Sequence, residues 1–104
     1  MADIPAGVTE SVERFLTALR RIRRVEAAYL YGSQVQDYAR EWSDIDLAVI
    51  SPDFEHDLFQ ERLVLLRLAA EVDDRIEPSP FAPADFTPAN PLAHEIHRSG
   101  VRVA

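Results

Sequence analysis

Hydrophobic positions along this chain follow two periods, one typical of helices and one typical of strands. The first helical segment has apolar residues three or four positions apart, at Val12, Phe15, Leu16, Leu19 and Ile22. This spacing predicts an amphipathic helix over residues 9–24, with Thr9 as its N-cap and residues 1–8 as a flexible lead-in. A second, longer helix is predicted over residues 54–72. Its apolar face is expected to consist of Phe59, Leu63, Leu66 and Ala70.

Shorter apolar runs predict the strands of a sheet. The first covers residues 25–31, and the second, residues 44–50, is apolar on both faces after an acidic start, which favours a central position. A third strand is predicted over residues 75–78, where Pro78 and Pro80 end its ladder or place that end at an edge. The remaining elements are a short helix or ordered loop at 34–40, a helix at 92–98 closed by Gly100, and a terminal strand at 101–103.

Strands that alternate with helices in 104 residues indicate one small domain of α/β (α+β) class, spanning residues 1–104. We expect a mixed sheet of about four strands with helices packed on it. Apolar residues make up 47% of the chain, and no run approaches the ~18 apolar residues of a membrane span. Without a signal pattern or any cysteine, a cytoplasmic location is expected.

The formal net charge of −7 changes the expected partners. Nucleic-acid binding normally needs a basic surface, so direct contact with nucleic acid is not expected. An acidic chain suits a partner with a basic surface, or a site whose negative charge is offset by a bound metal ion.

The candidate chemistry lies in two motifs that flank the first two strands. Leu30-Tyr31-Gly32-Ser33 ends an apolar run in a turn, where a glycine lets backbone N–H groups approach a phosphate. Ten residues after Ser33, Ser43 introduces Asp44 and Asp46, which point to the same face of a strand. Two adjacent carboxylates repel each other, and a divalent cation removes the repulsion.

A third carboxylate is expected on the next strand. Glu77 alternates with Ile76 and would complete a two-metal site, whereas Asp73 and Asp74 are nearer the helix end and are expected in a solvated turn. Tyr29, Tyr31 and Trp42 are expected near the same cleft, where one of them could stack on a base. Packing is the expected role of Tyr29.

The paired motifs at this spacing resemble the signature of the nucleotidyltransferase fold of the DNA polymerase β superfamily. The chain looks most like the minimal, single-domain nucleotidyltransferase (MNT) group. The resemblance implies that Gly32 and Ser33 hold the triphosphate of ATP, and that the three acids bind Mg²⁺. These acids are Asp44, Asp46 and Glu77. Family members often have a glycine four residues after the motif serine, where this chain has Asp37.

A minimal domain offers little surface for selecting a second substrate, so a partner or a second copy is expected to supply it. The resemblance implies a toxin–antitoxin system, because MNT proteins commonly act as antitoxins beside a small helical HEPN ribonuclease. The MNT protein transfers AMP from ATP to a tyrosine hydroxyl of the toxin. We therefore expect a protein adenylyltransferase in a hetero-oligomer with a HEPN-type toxin, with a homodimer as a further arrangement.

Two other functions stay open. One is a non-catalytic module that masks a basic ribonuclease toxin, which the charge of −7 favours through electrostatic steering. The other is a small-molecule nucleotidyltransferase of the antibiotic-modifying type, which the missing substrate-domain sequence disfavours. The intact glycine, serine and carboxylates favour catalysis, whereas Asp37 favours masking.

Overall fold

The computed structural model describes residues 4–35 and 43–104. Along these two ranges the chain forms α1 (Ala6–Leu19), β1 (Ala27–Tyr31), β2 (Ile45–Ile50), α2 (Leu58–Val72), β3 (Ile76–Phe81), α3 (Pro91–Ser99) and β4 (Val101–Arg102). Two 3₁₀ helices cover Gly32–Val35 and Pro83–Asp85. None of the helices in the described ranges is both long and apolar enough to cross a membrane.

The four strands form one mixed sheet in the order β3-β2-β1-β4. β1 is antiparallel to both β2 and β4, whereas β2 and β3 are parallel. This arrangement confirms the predicted fold class and the central position of the second strand. A central strand such as β2 is covered on both faces, which explains why all of its residues except Asp46 are apolar and buried.

The third strand extends beyond the prediction, because β3 continues through both prolines to Phe81. The backbone N–H of Ile45 donates to the carbonyl of Arg75 at 2.8 Å, and that of Ser51 donates to the carbonyl of Phe81 at 3.0 Å. The N–H and C=O groups of odd-numbered residues of β3 therefore face β2, and those of even-numbered residues face away from it. Pro78 and Pro80 lie at the alternate, outward positions of an edge strand, where the ladder needs no N–H donor.

The first helix begins earlier than predicted, and the expectation that Thr9 is its N-cap is wrong. α1 starts at Ala6, after Pro5, whose carbonyl accepts hydrogen bonds from the N–H groups of Val8 and Thr9. Val8 is 1% exposed and lies one helical turn before Val12. The apolar period therefore reaches back past the expected cap. The helix also ends earlier, at Leu19.

α1 and α2 cover one face of the sheet, and their buried side chains form the larger core cluster with the strands. The predicted inner face of α2 is wrong, because Leu65 and Ala69 are its buried residues while Phe59 is 70% exposed. Apolar residues occupy more than one side of this helix, so periodicity alone does not select the side that meets the sheet. The helix starts at Leu58, since Asp57 accepts a hydrogen bond from the N–H of Gln60 at 3.1 Å.

α3 covers part of the opposite face and forms a second, smaller cluster with the sheet. The partly buried Phe86 packs against this cluster, with its ring centroid 5.2 Å from that of Tyr29 and 4.4 Å from that of His97. Tyr29 therefore packs against this cluster, as expected. The rest of this sheet face, beyond the cover of α3, carries the polar side chains of the candidate site.

Asp73 was predicted in a solvated turn, but its side chain is largely buried and hydrogen-bonded to two other residues. Its carboxylate accepts hydrogen bonds from Arg75 Nη2 and from Ser11 Oγ, each at 2.7 Å. The hydrogen bonds of Arg75, and then that of Ser11, hold the pKa of Asp73 well below its ordinary value against the opposing effect of burial. Ser11 is buried, so this contact ties α1 to the end of α2.

We expect Ser11→Ala to lower the free energy of unfolding at pH 7 by about 1–2 kcal/mol, because Asp73 loses a partly buried donor. Since folding lowers the pKa of Asp73, its contribution is fully present above the unfolded pKa of about 3.9 and is lost as pH falls. Urea titrations at pH 7 and about pH 3 measure both effects. Ser99→Ala, which removes an exposed hydrogen bond to Glu95 within α3, is the control; equal losses in both variants would contradict the assignment.

Candidate active site

Gly32 begins the turn at the end of β1 and has a left-handed backbone, with φ of 72°. A Cβ atom built on it would overlap Oδ2 of Asp46 and would lie 3.3 Å from Cγ of the same residue. Both the backbone conformation and the lack of space therefore require glycine here. The first predicted motif thus packs directly on the second.

The sheet register brings the predicted acids to one edge of the same face. Asp46 lies opposite Tyr31 on β1 and opposite Glu77 on β3. Asp44 precedes β2 and lies two residues before Asp46, so strand alternation assigns it to the same face. Asp44 is exposed, whereas Asp46 is partly buried. The Asp44 and Asp46 pair and the distant Glu77 therefore line one end of the sheet.

The electrostatics of Asp46 reflect this grouping. Burial raises the pKa of its carboxyl group, and the negative charges of Asp44 and Glu77 raise it further. The site therefore opposes its own ionisation, which a bound cation would relieve.

The donor set suits a hard cation such as Mg²⁺, because it consists of carboxylate oxygens on neighbouring strands. Within residues 4–35 and 43–104, however, no three acidic, histidine or cysteine side chains are gathered closely enough to hold a metal ion. Glu77 lies 4.0 Å from Arg62 of α2 and is 44% exposed. The three acids would have to turn towards one another to share an ion, so metal binding stays a prediction.

Gln34 is a site residue that the sequence did not reveal. It is fully buried, and its Nε2 donates to the carbonyl of Ser43 at 3.0 Å. This bond joins the 3₁₀ helix after Gly32 to the residue immediately before Asp44. Its Oε1 is buried and finds no hydrogen-bond partner within the described ranges. The sequence shows only that Gln34 is a polar residue next to a Gly-Ser turn. That its side chain is buried follows from the fold and could not be predicted.

Tyr31 and Ser79 add a pair of hydroxyl groups beside the carboxylates. Tyr31 Oη and Ser79 Oγ are 3.0 Å apart, and their hydrogen bond crosses β2 at the small Ala48. Burial is the main cause that raises the pKa of Tyr31, so its hydroxyl stays protonated at neutral pH. The role of Tyr31 in base stacking stays a prediction.

The other predicted site residues differ in what the structure describes of them. Ser33 lies in the 3₁₀ helix Gly32–Val35, and the expected role of its hydroxyl stays a prediction. Asp37 and Trp42 lie outside the described residues. The structure thus brings Gly32 and the three acids to the same end of the sheet.

Comparisons with known proteins agree with this geometry. The model of the family described as Polymerase beta, Nucleotidyltransferase matches residues 13–104. Among solved structures, the chain is similar to the crystal structure of a proposed nucleotidyltransferase from Sulfolobus solfataricus, with 16% sequence identity and a TM-score of 0.57. The match covers 90% of this chain and 73% of that one, and at this identity it shows the fold alone. A search of curated proteins finds no match.

Proposed function

Because the chain belongs to the Polymerase beta, Nucleotidyltransferase family, we propose that it is a Mg²⁺-dependent nucleotidyltransferase that transfers AMP from ATP to a hydroxyl of a HEPN-type toxin. The observation that carries the catalytic part is the packing of Gly32 on Asp46, in register with Glu77. This arrangement puts a turn suited to phosphate binding beside a carboxylate set suited to a metal ion.

In this proposal each residue has a separate task. Asp44 and Asp46 would hold Mg²⁺, with Glu77 as the third acid, and the ion would supply Lewis-acid activation of the acceptor hydroxyl and charge neutralisation. The acceptor oxygen bonds to the α-phosphorus of ATP, the α–β phosphoanhydride bond breaks, and pyrophosphate and the hydroxyl proton are released. Gly32 lets the backbone approach the triphosphate without a Cβ in the way. Gln34 keeps Asp44 in place through its hydrogen bond to Ser43. These groups bind and orient the reactants, which is how proteins accelerate phosphoryl and nucleotidyl transfer.

The toxin partner is supported by the resemblance of the two motifs to the MNT group and by the charge of the chain. With a net charge of −7, the protein attracts a partner whose surface is basic, as that of an RNA-cleaving protein is expected to be. Asp44 is exposed, so a hydroxyl from another protein can reach the carboxylates from solvent.

Label transfer tests the proposed reaction. The protein is incubated with Mg²⁺, α-labelled ATP and the purified HEPN-type protein encoded beside its gene, with Asp46→Asn and EDTA-treated samples in parallel. We expect AMP label on the partner with the original protein only. Transfer that is equal in all three samples would overturn the assignment of the metal site.

Masking of the toxin without catalysis is the second candidate, and the net charge of −7 is the observation that favours it. The same experiment separates the two when ribonuclease activity of the partner is measured beside the label. Inhibition that survives in Asp46→Asn without any labelling establishes masking and contradicts AMP transfer as the mechanism.

A further inference from the structure

α2 carries an apolar surface that its own fold leaves uncovered. We define the α2 stripe as Phe59, Leu63, Leu66 and Ala70, which lie four, three and four residues apart on one side of the helix. Phe59 and Ala70 are exposed and the two leucines are partly exposed. The side that meets the sheet is different, because Leu65 and Ala69 are buried there. Such a row of apolar side chains at helical spacing is the pattern by which one helix packs on another.

The α2 stripe lies beside the candidate active site. Arg62, three residues after Phe59, extends towards Glu77 on the edge strand β3, with 4.0 Å between Nη2 and the carboxylate. Because α2 connects the parallel strands β2 and β3, it runs antiparallel to them, so the Ala70 end of the stripe lies towards the carboxylate end of the sheet and Phe59 lies towards the opposite end.

The exposed edge of β3 excludes one kind of partner. Pro78 and Pro80 occupy the outward positions and have no N–H group, and the N–H of Ile76 donates to the carbonyl of Asp73 at 3.1 Å. This edge therefore lacks the row of donors that an added strand needs. A partner on this side packs by side chains against the α2 stripe.

Charge selects between a second copy and a different protein. Glu55 and Asp57 precede the α2 stripe, and Glu71 and Asp74 follow it, and all four are exposed; the exposed Arg62 and Arg67 lie between these acidic ends, beside the stripe. In a two-fold pair of α2 helices, parallel or antiparallel, acidic ends would meet acidic ends. Each chain also carries a net charge of −7. A helix with basic residues at both ends complements this surface, whereas a second copy does not.

We propose that the α2 stripe docks a helix of a net-basic partner protein, with Phe59, 70% exposed at the N-terminal end of the stripe, as the main anchor. A partner that covers the whole stripe reaches, at its Ala70 end, the end of the sheet that carries Asp46 and Glu77. The inference rests on the proposed function insofar as the docked partner is the AMP acceptor, but the contact itself does not depend on transfer.

Photo-crosslinking identifies the partner without assuming its name. Phe59 is replaced by p-benzoylphenylalanine in cells that naturally produce the protein, with Ile22, 50% exposed and on the turn that follows α1, replaced as the control. We expect Phe59 to form one dominant adduct that mass spectrometry identifies as a helical, net-basic protein. An adduct with a second copy, with a net-acidic protein, or equal labelling from Ile22 would overturn the proposal, as would no adduct.

Binding of that purified partner then measures the contribution of the anchor. Phe59→Glu is expected to weaken binding about 10-fold or more, whereas Ile22→Glu changes it less than about threefold. Asp46→Asn is expected to bind as tightly as the original protein. If Phe59→Glu binds normally while AMP transfer occurs, the docking proposal fails and the proposed function stands. If binding depends on Phe59 but no AMP is transferred, the docking proposal stands and the proposed function fails.

Discussion

Asp46→Asn is expected to lower AMP transfer by about 100-fold to 1000-fold, because a neutral amide cannot hold Mg²⁺ at the position of the carboxylate. The same change is expected to stabilise the fold in the absence of metal. Asp46 is partly buried next to Asp44 and Glu77, which raise the pKa of its carboxyl group. Removing its charge relieves this repulsion by about 0.5 kcal/mol, the scale for like charges on adjacent strands.

The pH dependence gives this expectation a sign. Folding raises the pKa of Asp46, so the ionised carboxylate costs stability above the raised value, and the cost disappears as pH falls below the ordinary value. Between the ordinary and the raised pKa of Asp46, thermal unfolding should show a smaller loss of stability with rising pH in Asp46→Asn than in the original protein. Mg²⁺ is expected to raise the melting temperature of the original protein only.

Asp85→Asn is the matched control, because Asp85 is an exposed acid in the second 3₁₀ helix, outside the acid cluster. It should leave transfer and the Mg²⁺ effect unchanged. Transfer by Asp46→Asn within about threefold of the original rate would show that the reaction occurs elsewhere. A lower melting temperature of Asp46→Asn without metal would contradict the electrostatic argument.

Gly32→Ala is expected to lower the free energy of unfolding by about 2–4 kcal/mol and to remove AMP transfer. A left-handed backbone costs a non-glycine residue about 1–2 kcal/mol. The new Cβ also overlaps the carboxylate of Asp46, and overpacking of this kind costs about 1–3 kcal/mol. Urea unfolding measures the stability, and label transfer measures the activity.

Two further variants separate the causes. Gly7→Ala places the same methyl group in α1, where no atom lies within 4 Å of the built Cβ, and should be neutral or slightly stabilising. The double variant Gly32→Ala, Asp46→Ala keeps the backbone strain but removes the overlapping carboxylate. We expect the double variant to lose less unfolding free energy than the summed changes of the two single variants predict. Strict additivity would show that the overlap does not exist.

Local patterns predicted the strands and the acids of the site. Alternation and the short run around Glu77 placed Asp46 on a central strand and Glu77 on a further strand, and the register confirms that the two lie side by side. The strands could be predicted because strand period is a short-range property, whereas the role of the three acids as metal ligands stays a prediction. Of the two options predicted for Pro78 and Pro80, the edge position is confirmed and the ladder end is wrong. The strand was predicted too short because which peptide groups of β3 face β2 depends on the parallel register between two distant segments.

Residues that act through tertiary contacts escaped prediction. The inner face of α2 was assigned to Phe59 and its helical neighbours, whereas the sheet selected Leu65 and Ala69. Gln34 and Arg62 carry no motif, and their contacts exist only after separate segments meet. Periodicity identifies an amphipathic element, but it does not say which of two apolar sides finds a partner.

The pairing of β4 with β1 has a consequence for the order of folding. The N–H of Val103 donates to the carbonyl of Ala28 at 2.8 Å, so one edge of the sheet is completed by residues more than 70 positions later in the sequence. Contacts between such distant residues form slowly, because a long loop must close first. During synthesis, Gly32, Asp46 and Glu77 all leave the ribosome before this strand. A chain that has folded only as far as β3 thus contains every proposed catalytic group while the β1 edge is still open.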